Sequence, residues 1–247
     1  MDAKREWHEV VGPGEKASRA LTPSKKPEIE LFLDAATRLP RPAAARRGRL
    51  IFAFDATMSR QATWDLAQKV QGKMFETAAA HGGLDVQLVY YRGFLECKAS
   101  RFVGAGQSLA GLMSTLFVEA GETQIEKVLR HAHDETRREK VDVLVFVGDA
   151  MEEEQDVLAA RAAELGLAQV KCFMFQEGRD KAAEQAFRKI ALLTGGAYAT
   201  FDLSAPDRLA GLLAAAAAYA AGGRRALELE SRMRGTQAAG LLLEQLR

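Results

Sequence analysis

The stretch LIFAFDATMSR, residues 50–60, decides the fold. Five consecutive apolar residues, Leu50 to Phe54, stop abruptly at Asp55. An apolar run without alternation is the pattern of a strand covered on both faces, as in parallel sheets. Outward from it, Gln61 to Ala80 carries Leu66, Val70, Met74 and Phe75 at helical spacing and stops at Gly82-Gly83. LDVQLVYY (84–91) reads as a strand, and LECKASRFV (95–103) as its hairpin return across Gly93. Ser108–Phe117 and Thr123–Arg138 read as helices. VDVLVFVG (141–148) then repeats the opening pattern and stops at Asp149.

The second half keeps the alternation. Helices are expected over Glu152–Leu165, Lys181–Leu193 and Asp207–Ala221, with strands at VKCFMFQ (170–176) and AYATFDL (197–203). Strands alternating with helices of this length imply an α/β fold: a doubly wound, mostly parallel sheet with one antiparallel hairpin strand and helices on both faces. This core spans residues 50–222. Residues 1–49 hold five of the six prolines and an excess of Lys and Arg, the composition of a basic, proline-rich arm. Within it, Glu28–Arg38 can form a short helix, and RPAAARRGR (41–49) reads as a basic linker. Residues 223–247 read as a C-terminal helical extension, broken near Gly235 and Gly240. Its apolar end, Leu241-Leu242-Leu243 with Leu246, must pack on the core or on a second chain.

Composition removes several function classes. Lys plus Arg number 34 against 33 Asp plus Glu, so the cationic excess of a dedicated nucleic-acid-coating protein is missing. The two cysteines, Cys97 and Cys172, form no CxxC or Cys/His cluster, which argues against structural zinc. His131 and His133 stand two apart on a helix, point to different sides and read as surface residues. The opening MDAKREWHEVVGPGEK has no apolar leader, and the Ala-rich run 209–223 is too short to span a bilayer. The expectation is a cytoplasmic protein with reduced thiols and no membrane partner.

In open α/β sheets, ligands sit beyond the carboxyl ends of the strands. Both doubly buried runs deliver an aspartate there, Asp55 and Asp149. Neither following loop is glycine-rich, which disfavours dinucleotide and P-loop sites. Asp55, Thr57 and Ser59 stand at alternate positions on the turn leaving the first strand. One carboxylate and two hydroxyls are a hard-oxygen set that suits Mg²⁺ or Mn²⁺ better than Ca²⁺.

Strand–DATMS–helix resembles the strand–DxSxS–helix opening of the von Willebrand factor A (VWA) family, with Thr57 in place of the first serine. GETQIEKVL (121–129) is similar to the segment that supplies that family's metal-ion-dependent adhesion site with a threonine, here Thr123. VLVFVGDAMEE resembles the segment supplying its later aspartate, here Asp149, and LLTGGAYATFD (192–202) resembles the closing turn and strand. The resemblance implies Asp55, Thr57, Ser59, Thr123 and Asp149 as ligands of Mg²⁺ or Mn²⁺. It implies a non-catalytic adaptor of the intracellular bacterial type, whose metal shell is completed by an Asp or Glu of a protein partner. Such relatives often work beside MoxR-type AAA+ ATPases. Glu122 and the run Glu152-Glu153-Glu154 with Asp156 add acid near the expected metal face, which can strengthen cation binding or repel an acidic partner.

Two alternatives remain open at this point. LIFAFD and VGDAMEEEQD also resemble a haloacid-dehalogenase-like, Mg²⁺-dependent phosphohydrolase, with Asp55 as nucleophile. That chemistry usually needs an acid two residues on, where this chain has Thr57. The other is a metal-free VWA scaffold, in which Asp55 and the hydroxyls serve only as helix caps.

Overall fold

The computed structural model describes residues 46–57, 61–104, 106–114, 119–202, 205–234 and 237–246. The expected helix Glu28–Arg38, the first part of the basic linker, Ser59 and Gly235 lie outside them. Six strands run β1 (Gly48–Asp55), β2 (Leu84–Arg92), β3 (Glu96–Ala99), β4 (Val143–Gly148), β5 (Lys171–Glu177) and β6 (Ala197–Phe201). Seven helices intervene or follow: α1 (Gln61–Ala79), α2 (Gly106–Ser114), α3 (Ile125–Arg138), α4 (Gln155–Leu167), α5 (Lys181–Thr194), α6 (Pro206–Arg234) and α7 (Gln237–Gln245).

The strands form one sheet in the order β3-β2-β1-β4-β5-β6, in which only β3 runs antiparallel. The chain leaves β1 toward β2 and later returns to its other side with β4. That reversal is the topological switch point of a doubly wound sheet. The parity of each strand sorts the core into two layers. Ile51, Ala53, Tyr91, Leu144, Phe146 and Met174 pack with residues of α3, α4 and α5. On that face the Phe146 ring meets Tyr91 and Phe187 at centroid distances of 6.2 and 5.3 Å. On the opposite face Phe173 meets Tyr219 of α6 edge-on at 5.6 Å. Leu50 to Phe54 are fully buried, as a doubly covered strand requires.

Two sequence expectations change. The strand β1 begins at Gly48, so the basic linker read over 41–49 overlaps it, and Arg49 is buried. A Cβ on Gly48 would lie 2.1 Å from the Ala220 carbonyl oxygen, so α6 crosses β1 where only glycine fits. At the C-terminus, Gly240 lies inside α7 and does not break it. A kink falls at Gly222-Gly223 within α6, where Gly223 takes φ 66°. Helix α7 packs on α6 and the β6 edge, with Ala239, Leu242 and Leu246 buried. Gln245 accepts a hydrogen bond from the Tyr198 N–H and donates one to its carbonyl, each at 3.0 Å, and so covers the outer edge of β6. No helix among the described residues is long and apolar enough to cross a membrane.

A candidate metal centre at the switch point

Asp55 is the last residue of β1, and the register of β1 with β4 puts Phe54 opposite Val147. Asp149, two residues beyond Val147, therefore emerges beside Asp55 at the carboxyl end of the sheet. Asp55 shares the parity of Ile51 and Ala53, so its side chain lies on the face covered by α3, α4 and α5. It is 1% exposed. Its Oδ1 accepts a hydrogen bond from the Thr57 N–H at 2.9 Å, the short turn that a residue pair two apart can close. Burial raises its pKa above the ordinary 3.8; the Thr57 bonds pull it back only in part, and the Asp149 charge raises it further. No lysine or arginine pairs with Asp55 among the described residues.

Tyr91, near the end of β2, stands opposite Asp55 in the register of β1 and β2. Its side chain is fully buried, and its hydroxyl has no hydrogen-bond partner among the described residues. The hydroxyl lies near enough to Asp55 for the two to perturb each other, yet outside hydrogen-bonding geometry. Burial first, then the charges of Asp55, Glu153 and Asp149, hold its pKa well above the ordinary 10.0. Tyr91 is thus a neutral hydroxyl.

Thr123 reaches the site through a second loop, which is bound to the end of β2. The Glu122 N–H donates to the Gly93 carbonyl at 3.2 Å, and Gln124 Nε2 donates to the same oxygen at 3.2 Å. A Cβ on Gly121 would lie 2.1 Å from that oxygen, so this approach admits only glycine. Thr123 and Glu152 then bind each other reciprocally. The Thr123 N–H donates to Glu152 Oε2 at 3.1 Å, and the Glu152 N–H donates to Thr123 Oγ1 at 3.0 Å. Next to them, the Glu153 carboxylate accepts from the Ile125 and Glu126 N–H groups at 2.7 and 2.8 Å and caps α3 across the loop. The loop after β4 therefore holds both Asp149 and, through Glu152, Thr123.

Of the five residues expected at the metal, the structure brings Asp55, Thr57 and Asp149 to one sheet end and ties Thr123 to the Asp149 loop. Ser59 lies outside the described residues. Sequence reasoning missed Tyr91, Glu152 and Glu153 as parts of the site. Glu152 and Glu153, expected from the sequence to add acid near the metal face, are both engaged on the loop before α3. Tyr91 could have been found by parity, since it ends a strand beside β1. His131 is not a surface residue either: it is half-buried, and its Nε2 lies 2.9 Å from Gln87 Oε1.

The donors fit a hard divalent ion. The donor types are two carboxylates and two threonine hydroxyls, with no thiol or imidazole among them, and the buried Tyr91 hydroxyl near Asp55 has no hydrogen-bond partner among the described residues. Among the described residues no three His, Cys, Asp or Glu side chains are grouped to hold a metal, so a carboxylate-rich Ca²⁺ cage is not formed. A donor set with two carboxylates suits Mg²⁺ and Mn²⁺, which keep several waters in their shell.

The sequence matches no protein-family model and no curated protein. Solved structures do match. The VWA domain of SpRpn10 superposes with TM-score 0.53 at 12% identity, over 66% of this chain and 95% of that one. An aerotolerance-related membrane protein from Bacteroides fragilis gives 0.50 at 16%, over 65% and 95%. Proximal thread matrix protein 1 from the mussel byssus gives 0.54 at 14%, over 70% and 47%. The order of strands, the switch point and these superpositions agree, and the chain carries the fold of a von Willebrand factor A domain.

Proposed function

We propose that this chain is a non-catalytic adaptor whose binding to a protein partner depends on a divalent metal, Mg²⁺ or Mn²⁺. Asp55, Thr57, Ser59, Thr123 and Asp149 would hold the ion. Bound there, the ion supplies a concentrated positive charge at the sheet edge, and a partner's Asp or Glu completes its shell. The observation that carries this reading is the burial of Asp55 beside Asp149 with no cationic partner among the described residues. A carboxylate held like this is costly unless something positive joins it. The fold adds support, because the superposed structures include the VWA domain of SpRpn10 and the COPII-coat protein Sec24c. The proposed setting is the cytoplasm of a bacterium, in an assembly of the MoxR-type AAA+ kind.

The test uses the full chain as bait, in Mg²⁺ and in EDTA, beside the Asp55→Asn variant. A partner retained only by the wild-type chain in Mg²⁺ is the expected result. Identical retention in all three conditions would leave the metal-free scaffold as the better account. Incubation with a phosphomonoester and Mg²⁺ should give no turnover; turnover abolished by Asp55→Asn would instead favour a phosphohydrolase.

A further inference from the structure

The sheet has two outer edges, and among the described residues only the one at β6 is covered. At β6, Gln245 satisfies both backbone groups of Tyr198. At β3 the ladder leaves a row open. The Ser100 N–H donates to the Leu88 carbonyl at 2.8 Å, which fixes the phase of the antiparallel pair. Tyr90 with Lys98 and Arg92 with Glu96 are then the hydrogen-bonded pairs of the register. The N–H and C=O groups of Cys97 and Ala99 point away from β2, and no described residue takes them. An open strand edge of this kind is a template for another extended chain.

The same two residues turn their side chains toward α3. There they line a cavity of about 330 Å³ with Leu95, Lys127, Arg130 and His131. Lys127 is half-buried and held in place by neutral groups: its Nζ donates to the Leu95 carbonyl at 3.1 Å and to Gln124 Oε1 at 2.6 Å. No carboxylate pairs with it among the described residues. Arg130, one turn on, reaches Glu126 only at 3.9 Å, and Glu126 is already bound by Arg161 at 2.9 Å. Both cations lie close enough to Cys97 for their charges to act on its thiol. Asp134 lines the far end of the cavity. At the near end, the hairpin tip exposes Phe94 at 69% and Leu95 at 83%. A preorganised ammonium, a guanidinium and two exposed apolar side chains thus border an unpaired strand.

We propose that β3 is a docking edge for an extended, acidic segment of a partner protein, which adds to the sheet as a seventh strand. Its backbone pairs with Cys97 and Ala99. Alternate side chains then fall into the cavity, where a Glu or Asp meets Lys127 and Arg130, and an apolar residue covers Phe94 or Leu95. The two cations disfavour a second copy of this chain, because pairing β3 with β3 would bring like charges together. The proposal does not rest on the metal reading and would stand if that failed.

The probe is a fluorescein-labelled peptide of alternating Glu and Val, compared with its Lys–Val counterpart and with an isomer N-methylated at every second residue. Anisotropy should show saturable binding of the Glu–Val peptide to the full chain, weakened about tenfold or more in Lys127→Glu/Arg130→Glu. The Lys–Val and N-methylated peptides should not bind. Asp55→Asn should bind as the wild type does, which separates this edge from the metal site. A second readout is local: the Glu–Val peptide should slow alkylation of Cys97, while the fully buried Cys172 serves as the unreactive control. Circular dichroism confirms that the charge-reversed variant is folded. Absence of binding, equal binding by the N-methylated peptide, equal binding by the charge-reversed variant, or no protection of Cys97 would each overturn the proposal. So would a dimer of the chain that the peptide does not dissociate.

Discussion

The two ends of β1 carry one buried charge each, and the protein treats them in opposite ways. At the amino end, Arg49 is 7% exposed and thoroughly compensated. Its guanidinium lies 2.9 Å from Glu139 and 3.8 Å from Glu135, donates to the Glu139 carbonyl and stacks 3.8 Å from the Phe102 ring. Its backbone N–H donates to Asp142 Oδ2 at 2.8 Å. At the carboxyl end, Asp55 is buried more deeply, and among the described residues the charge that acts on it is that of another carboxylate, Asp149. Buried charges persist where they are paired or where they bind something. The Arg49 end is built to be stable by itself. Asp55 has no pairing cation among the described residues, and the proposed divalent ion would supply one.

Substitutions along this contrast should separate the two ends, the largest effect coming from the compensated one. Arg49→Met should cost about 3 kcal/mol, because among the described residues it leaves buried Glu135 with Arg138 as its one remaining ion-pair partner. Urea unfolding measures this, and a cost near zero would mean that the network is not what holds the amino end. Glu153→Ala should cost about 2 kcal/mol, since it strips two charge-assisted bonds from the start of α3. Heteronuclear NMR should show the disturbance centred on residues 123–126. Asp55→Asn should have the opposite sign. In EDTA the variant should be more stable than the wild type by about 1 kcal/mol, since a neutral amide replaces an uncompensated buried charge. A destabilised variant would indicate that Asp55 is there to hold the turn.

The smallest effect belongs to a group that the fold keeps neutral. Burial holds the pKa of His131 below the ordinary 6.5. The unfolded chain takes up the proton at a higher pH than the folded chain. The contribution is therefore complete above 6.5 and is lost as pH falls below it. Unfolding curves from neutral to mildly acidic pH should show a shallower loss for His131→Gln than for the wild type. Equal slopes would place the imidazole in solvent.

Much of this was legible before the structure. Asp55 and Asp149 stood out because each interrupts a long apolar run, and a parallel sheet places both at one end. The strands follow from the same runs, whereas their order in the sheet comes from the structure. What stayed hidden depends on contacts between distant segments. The grip of Glu152 on Thr123 spans 29 residues and has no local pattern. Arg49 was counted with a basic linker because its neighbours are basic, yet Glu135 and Glu139, on the far side of the hairpin, draw it into the core. Nothing local in the C-terminal extension marks Gln245, and only packing reveals it as the cover of the β6 edge. His131 was misread because spacing on a helix says which residues share a face and not which face is buried. The placement of Ser59 remains an expectation of the sequence.

The central claim is that Asp55 and Asp149 form one half of a cation site. Titration of the metal-free chain with Mn²⁺, followed by the electron paramagnetic resonance signal of free Mn²⁺, tests it most directly. One ion should bind per chain, Mg²⁺ should displace it, and both Asp55→Asn and Asp149→Asn should abolish binding while remaining folded. Mn²⁺ binding that is unchanged in Asp55→Asn, or absent from the wild type at millimolar concentration, would contradict the account.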